Sequence, residues 1–361
     1  MSTGGVVGAR RADQQGKDAF DASQGDHDRY GRVTAGCPPR GRYIEVGGRR
    51  LALYRSGIGK PTVVFLPGGG AVGLDYLNVH DGAAKVATSV LYDRAGTGWS
   101  DRAKLPRTST AVTDELRNLL RVADAPGPYL LVGHSLGGLY ARHYAIRFPD
   151  EVAGLLLLDT AHEDYDAYMP KELNELRRSN RFFRLMNVVV GGALRTAPTR
   201  ALLRRTPIVK RYRVLYRALF AQEMATWPAD ILPELVERHV SLAWLGAGLR
   251  EASDIDRLYD EVRHAGPMPD VPLIVLCSTG SDGFRDAVSS GESDSMLRDE
   301  IEGKRRLYAE MTSSVPRGEI RLVDAGHVTM HFRHPDAVLR GIQDLIGSIP
   351  RRTAREASRP P

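Results

Sequence analysis

Short runs of β-branched and aliphatic residues alternate along the chain with segments whose apolar residues recur at helical spacing. Arg42–Val46 and Arg50–Tyr54 read as strands joined by Gly47-Gly48, a dipeptide suited to a hairpin turn. Thr62–Leu66, Val86–Tyr92, Tyr129–Val132, Val152–Leu158, Pro272–Cys277 and Glu319–Val323 are further predicted strands. Val112 to Ala123, Leu139–Phe148 and Pro335–Ile346 carry helical periodicity. Strands alternating with helices predict βαβ units and the α/β class, with a mostly parallel sheet. The unbroken apolar run Leu155-Leu156-Leu157-Leu158 fits a strand buried on both faces. From about His162 to Pro267 the composition is helical and no strand is predicted, which indicates a helical insertion between two sheet strands.

The expected organisation is therefore an N-terminal arm over 1–40, a core from 41–161 and 268–349, a helical lid over 162–267 and a tail over 350–361. Both end segments lack an apolar period and are expected to pack loosely. At 361 residues and 42% hydrophobic, the chain can bury a sizeable core and is too apolar to be disordered throughout. Its two cysteines, Cys37 and Cys277, exclude a disulfide scaffold and a four-cysteine zinc site. No apolar run of ~18 residues predicts a membrane span. Met1 to Phe20 has no apolar segment typical of a secretory signal, so a soluble, cytoplasmic protein is expected.

Chemistry concentrates in Leu130-Leu131-Val132-Gly133-His134-Ser135-Leu136-Gly137-Gly138-Leu139, a G-x-S-x-G match between a predicted strand and a predicted helix. Such a turn is sharp and strained. Small residues must flank the serine for it to close, and the strain turns the serine hydroxyl outward. No G-x-G-x-x-G follows the first strand, which disfavours a dinucleotide site.

This segment resembles the nucleophile elbow of the α/β-hydrolase superfamily, in the group with a plain GHSLGG elbow. The resemblance extends over about Tyr43 to Ile346. It includes Asp93-Arg94-Ala95-Gly96-Thr97-Gly98-Trp99-Ser100, similar to the family's D-R-x-G-x-G-x-S loop, and Phe148-Pro149-Asp150-Glu151-Val152-Ala153-Gly154-Leu155, similar to its F/Y-P-x-x-V-x-G-L segment. It implies an α/β-hydrolase fold, with Ser135 as nucleophile and the acid and histidine later in the chain. His327, in Ala325-Gly326-His327, resembles the family's histidine turn and is the expected base. Asp282, after Pro272–Cys277, stands at the family's acid position; Asp159, which ends Val152–Leu158, is the alternative. The backbone N–H groups of Leu136 and Gly69 are the expected oxyanion donors. The histidine that usually precedes the glycines is Pro67 here, which removes a side-chain bond that often stiffens the loop. His331 and His334 lie near His327, but no H-E-x-x-H pattern or cysteine cluster accompanies them, so no metal or other cofactor is expected.

The formal charge of +6 is uneven. Lys171 to Phe220 holds thirteen basic and two acidic side chains, which leaves the remainder at −5. With apolar residues interleaved, this basic lid suits an anionic membrane surface and peripheral association; alternatively it covers the pocket with its arginines solvated. No nucleic-acid-binding motif accompanies the charge. The functional expectation is a serine hydrolase acting on an ester, thioester, lactone or amide of a small apolar molecule. An acyltransferase or thioesterase with the same residues, or a ligand-binding protein on this scaffold, are the alternatives. The sequence leaves substrate and oligomeric state open.

Overall fold

The computed structural model describes residues 38–179, 189–288 and 293–349. Most of the predicted arm and all of the predicted tail lie outside the described residues. The framework is an eight-stranded sheet in the order β1-β2-β4-β3-β5-β6-β7-β8. Its strands are β1 (Arg42–Val46), β2 (Arg49–Ser56), β3 (Thr62–Leu66), β4 (Thr88–Tyr92), β5 (Tyr129–His134), β6 (Val152–Leu158), β7 (Leu273–Ser278) and β8 (Gly318–Val323). β1 and β2 pair antiparallel, β2 meets β4 antiparallel, and the remaining pairs are parallel.

Alternation along the central strands divides the core in two. Leu131, Leu155, Leu157 and Val275 face one side; Leu130, Val132, Leu156 and Ile274 face the other. Helices α1 (Leu77–Ala83), α2 (Ser109–Val122) and α3 (Leu136–Arg147) connect the four parallel strands β3 to β6. α2 and α3 cover the first face with Val112, Leu116, Leu119, Leu139 and Tyr144. α1 and the C-terminal helix Pro335–Ser348 cover the second with Val79, Val338, Ile342 and Leu345. Each fully buried aliphatic side chain contributes about 1.5–3 kcal/mol.

Several elements differ from the sequence expectation, and three of the differences have a local reason. β4 starts at Thr88 because Val86 closes a turn, its N–H bonded to the Ala83 carbonyl. α3 starts at Leu136 because the helix begins directly after the strained serine. The third is the helix Asp294–Ser313 between β7 and β8, which the apolar pattern does not announce. Its first half is mostly charged, and its buried residues, Leu307, Tyr308 and Met311 among them, lie in the second half. The Ser293 hydroxyl caps it by accepting the Met296 N–H at 3.3 Å. The helix packs on β7 and β8.

Between β6 and β7, the described residues of the insertion form helices only. They include α4 (Lys171–Ser179), α5 (Ala197–Leu203), α6 (Pro207–Glu223), α7 (Leu232–His239), α8 (Leu242–Glu251) and α9 (Ile255–Arg263). The chain reverses its order of sheet growth between β3 and β5, and a crevice outside the carboxyl ends of strands at such a point is where open α/β sheets place ligands. Two segments meet there: the loop after Leu66 and the turn after His134.

Burial also sets acid sensitivity. It pushes the imidazoles of His80, His143 and His162 down to about 4, and that of His134 to about 3. Below the ordinary value of 6.5 the unfolded chain therefore binds more protons than the folded one. The stability these groups contribute is fully present above 6.5 and is lost as pH falls through the folded values. The urea midpoint should decline from pH 6.5 toward 4, and His143→Phe should make that decline shallower; an unchanged slope would show that other groups control it.

Candidate active site

β5 delivers Ser135 in a conformation few L-residues adopt, with φ +50° and ψ −119°. The flanking glycines are required by contact. A Cβ on Gly133 would stand 2.6 Å from Gly138 Cα, and one on Gly137 would stand 1.9 Å from the Leu66 carbonyl oxygen. The turn is pinned where the Ser135 N–H donates to the Leu158 carbonyl at 3.0 Å.

His327 lies in the loop after β8. Its Nε2 is 3.0 Å from Ser135 Oγ, and its Nδ1 is 2.7 Å from Asp159 Oδ2. The structure thus brings Ser135 and His327 together, but the carboxylate facing the imidazole is Asp159. Asp282, the first expectation, is placed otherwise. It is buried beneath the histidine loop, where Oδ1 accepts the N–H groups of Phe284 at 3.1 Å and Arg285 at 2.9 Å, and Oδ2 accepts that of Val328 at 2.9 Å. A Cβ on Gly326 would come within 2.2 Å of Asp282 Oδ2, so the Gly326-His327 turn lies directly on this carboxylate. Asp282 shapes the loop that carries the imidazole. Asp159 follows β6, the strand paired with β5, and is the closer of the two to Ser135 in the sheet order.

Asp159 is buried in a ring of donors. Ser278 gives its N–H to Oδ1 at 3.1 Å and its hydroxyl to Oδ2 at 2.7 Å. Lys304 Nζ lies 3.2 Å from both oxygens and 2.6 Å from Ser278 Oγ. Burial alone would raise the Asp159 carboxyl pKa. The Lys304 ammonium, with the His327 and Ser278 hydrogen bonds, outweighs burial and holds it well below the usual carboxylate range. An ionised Asp159 accepts from Nδ1–H, which leaves the Nε2 lone pair facing the Ser135 hydroxyl. Sequence reading missed Lys304, because its helix was not predicted and a lysine in a charged run gives no sign of burial.

Across the site, Gly69 and Leu136 are adjacent: a Cβ on Gly69 would be 3.5 Å from Leu136 Cδ2. The departure at Pro67 is compensated from elsewhere. Arg94 donates to the Pro67 carbonyl at 2.6 Å and the Gly68 carbonyl at 2.8 Å. Glu251, from the end of α8, pairs with Arg94 at 2.6 Å and accepts the Gly70 N–H at 3.0 Å. Arg94 and Glu251 are both buried, so a residue of the helical insertion and a core residue hold the glycine loop together. Asp93 fixes the same region by accepting the N–H groups of Gly73 at 2.8 Å and Trp99 at 2.9 Å. Burial pushes its carboxyl up to about 6 despite these bonds.

His134 joins the two halves of the site. Its Nε2 donates to the His327 carbonyl at 2.9 Å, so its Nδ1 must accept, here from the Tyr76 hydroxyl at 2.6 Å. The Tyr76 oxygen in turn accepts the Gly68 N–H at 3.1 Å. His331 is buried behind this chain and stacks on Tyr76 with ring centroids 4.2 Å apart. His143 is buried on α3, and His334 begins the C-terminal helix. Among the described residues, one trio of possible metal ligands converges: His162, Glu163 and Asp164. Its carboxylate Glu163 is committed to Arg142, at 2.6 and 2.8 Å.

Comparison with known proteins agrees with this architecture. A profile of the Alpha/beta hydrolase family matches residues 63–340, and the chain belongs to that family. The Bacillus subtilis protein YbdG, itself uncharacterised, is 24% identical over 220 residues, covering 59% of this chain and 66% of YbdG. The uncharacterised protein Rv2715 of Mycobacterium tuberculosis is 33% identical over 122 residues, 34% of this chain and 35% of that protein. The chain thus matches less than two thirds of these relatives' lengths. Among solved structures, an esterase from Thermogutta terrifontis superposes with a TM-score of 0.55 at 17% identity, covering 85% of this chain and 97% of the esterase. An enol-lactonase from Burkholderia xenovorans gives 0.55 at 18% identity, covering 85% and 100% of the two chains. Epoxide hydrolase CorEH gives 0.58 at 16%, covering 86% and 99%. At these identities the likeness establishes the fold.

The Arg94–Glu251 pair has a measurable consequence. Glu251→Ala strands a buried guanidinium and should cost about 3–5 kcal/mol in urea unfolding. A loss below about 1 kcal/mol would show that the glycine loop is held by other contacts.

Proposed function

We propose that this chain is a serine hydrolase that cleaves an ester, thioester, lactone or amide of a small, largely apolar molecule through an acyl-enzyme on Ser135. The observation that carries this reading is the hydrogen-bonded series from Ser135 Oγ to His327 Nε2 at 3.0 Å and from His327 Nδ1 to Asp159 at 2.7 Å. His327 accepts the serine proton as Oγ attacks the carbonyl carbon, and Asp159 stabilises the imidazolium. The Gly69 and Leu136 N–H groups stabilise the oxyanion. The imidazolium then gives its proton to the leaving group. Water, deprotonated by the same imidazole, releases the acid and restores Ser135. An apolar substrate is favoured by the lid's apolar side chains, Met224 and Trp227 buried and Phe220 and Trp244 packed against the same core.

A fluorophosphonate probe should label the folded protein once, at Ser135, and intact mass spectrometry should find no adduct on Ser135→Ala. Absence of labelling together with absence of ester turnover would favour a ligand-binding role. An acylated alcohol or amine formed in the presence of an acceptor would instead place the chain among acyltransferases.

The two aspartates separate by substitution. Asp159→Asn should reduce kcat by roughly 10³–10⁴-fold. Asp282→Asn should lower stability by about 1–3 kcal/mol, through a loop N–H that loses its acceptor, and should spare most of the rate. The reverse order would return the acid role to Asp282.

Lys304 is a positioning residue in this scheme. The groups facing His327 are Ser135, Asp159 and the His134 ring at 5.1 Å, with Lys304 behind Asp159. The ammonium offsets part of the carboxylate charge that the imidazole senses. Lys304→Met should lower kcat and leave KM largely unchanged, because the carboxylate behind His327 loses the ammonium that keeps it ionised. Lower stability with an unchanged kcat would make Lys304 purely structural.

A further inference from the structure

From Leu176 to Gln222 the chain has no aspartate or glutamate and twelve arginines and lysines. α5, of seven residues, and all but the last residue of α6, of seventeen, lie within this stretch. At 3.6 residues per turn, α6 separates into two arcs. The inward arc is aromatic: Tyr216 and Phe220 lie 6.1 and 4.8 Å from Phe284, and Phe220 stacks on His239 at 4.1 Å. The outward arc carries Ile208, Lys210, Arg211, Val214, Leu215 and Arg217, all exposed. Ile208 is 81% and Val214 67% exposed.

A lid helix needs one apolar face, and the aromatic arc supplies it. The outward apolar side chains are left largely to solvent, with Leu215 the most covered of them at 42% exposed. Five of the nine large hydrophobic side chains exposed among the described residues (Val189, Leu202, Ile208, Val214 and Leu215) fall in this one region, so the exposed apolar surface is concentrated there. The charges beside them are largely unanswered. Arg213 and Arg217 share Glu237, whereas Arg204, Arg205, Lys210 and Arg211 have no carboxylate partner among the described residues.

We propose that the outer face of α6, with the adjoining end of α5, docks on an anionic phospholipid bilayer. Ile208, Val214 and Leu215 enter the boundary between headgroups and acyl chains, while Lys210, Arg211, Arg204 and Arg205 extend to the phosphates. The apolar component selects a bilayer over a nucleic acid or an acidic protein, either of which would answer the charges and leave Ile208 in water. The proposal rests on this surface alone and is independent of the serine chemistry.

The test uses the full chain as Ser135→Ala, so that turnover plays no part. It is sedimented with vesicles of phosphatidylcholine, or of phosphatidylcholine with phosphatidylglycerol at about 7:3. Binding should require the anionic lipid and fall at least roughly tenfold in 0.5 M NaCl. Arg204→Gln/Arg205→Gln/Lys210→Gln/Arg211→Gln should reduce it roughly tenfold or more, and Ile208→Ser/Leu215→Ser should reduce it separately. Circular dichroism melts check that each variant is folded, and the single substitution Ile208→Ser serves if the double variant is not. No binding, equal binding to neutral vesicles, or indifference to Ile208→Ser would overturn the proposal. Capture by duplex DNA that is sensitive to the arginines and insensitive to Ile208 would assign the surface to nucleic acid instead.

Discussion

Ser135 holds φ at +50°, a conformation that costs an L-residue about 1–3 kcal/mol. The surroundings impose it from three sides. Gly133 and Gly138 touch across the turn, Gly137 lies against the Leu66 carbonyl, and the Ser135 N–H is tied to Leu158 on β6. This close approach sets the remaining geometry. It joins the end of β5 to the loop after β3 and sets the serine hydroxyl beside His327. Any side chain larger than hydrogen at Gly137 would separate the nucleophile from the glycine loop opposite.

Around that turn the protein uses two buried ion pairs in different ways. Arg94–Glu251 ties the backbone of the glycine loop to the helical insertion, so the position of α8 and the shape of the loop are coupled. Lys304–Asp159 lies behind the histidine and keeps a buried carboxylate ionised. Buried pairs add little net stability relative to apolar packing. Their value here is that each satisfies additional hydrogen bonds, to Pro67, Gly68 and Gly70 in one case and to Ser278 in the other. His134, inside the elbow, links the two regions through Tyr76 and the His327 carbonyl.

Much of the fold was legible because its signals are local. The unbroken apolar run Leu155 to Leu158 is enough to predict a strand with two buried faces, and Gly133 to Gly137 is enough to predict the turn after Val132. Ser135, His327, Gly69 and Leu136 stand out by motif and by order along the chain; in the structure Ser135 lies beside His327, and Gly69 beside Leu136. Asp282 was misplaced because the residues around it resemble an acid position, and a short motif cannot say whether a carboxylate faces an imidazole or three backbone N–H groups. Asp159 carried no stronger local sign than the end of a strand.

What the sequence determined, then, was periodicity, the glycines of the elbow, and a contiguous stretch of the insertion with positive charge and no acid. Each is read from neighbouring residues along the chain, where steric and helical constraints act. Tertiary structure decided which aspartate meets His327, that Lys304 is buried beside it, that Arg94 replaces the bond missing at Pro67, and which arc of α6 meets water. These depend on contacts between residues up to 168 positions apart, as for Asp159 and His327, and such contacts exist only once the sheet has paired and the helical insertion has packed.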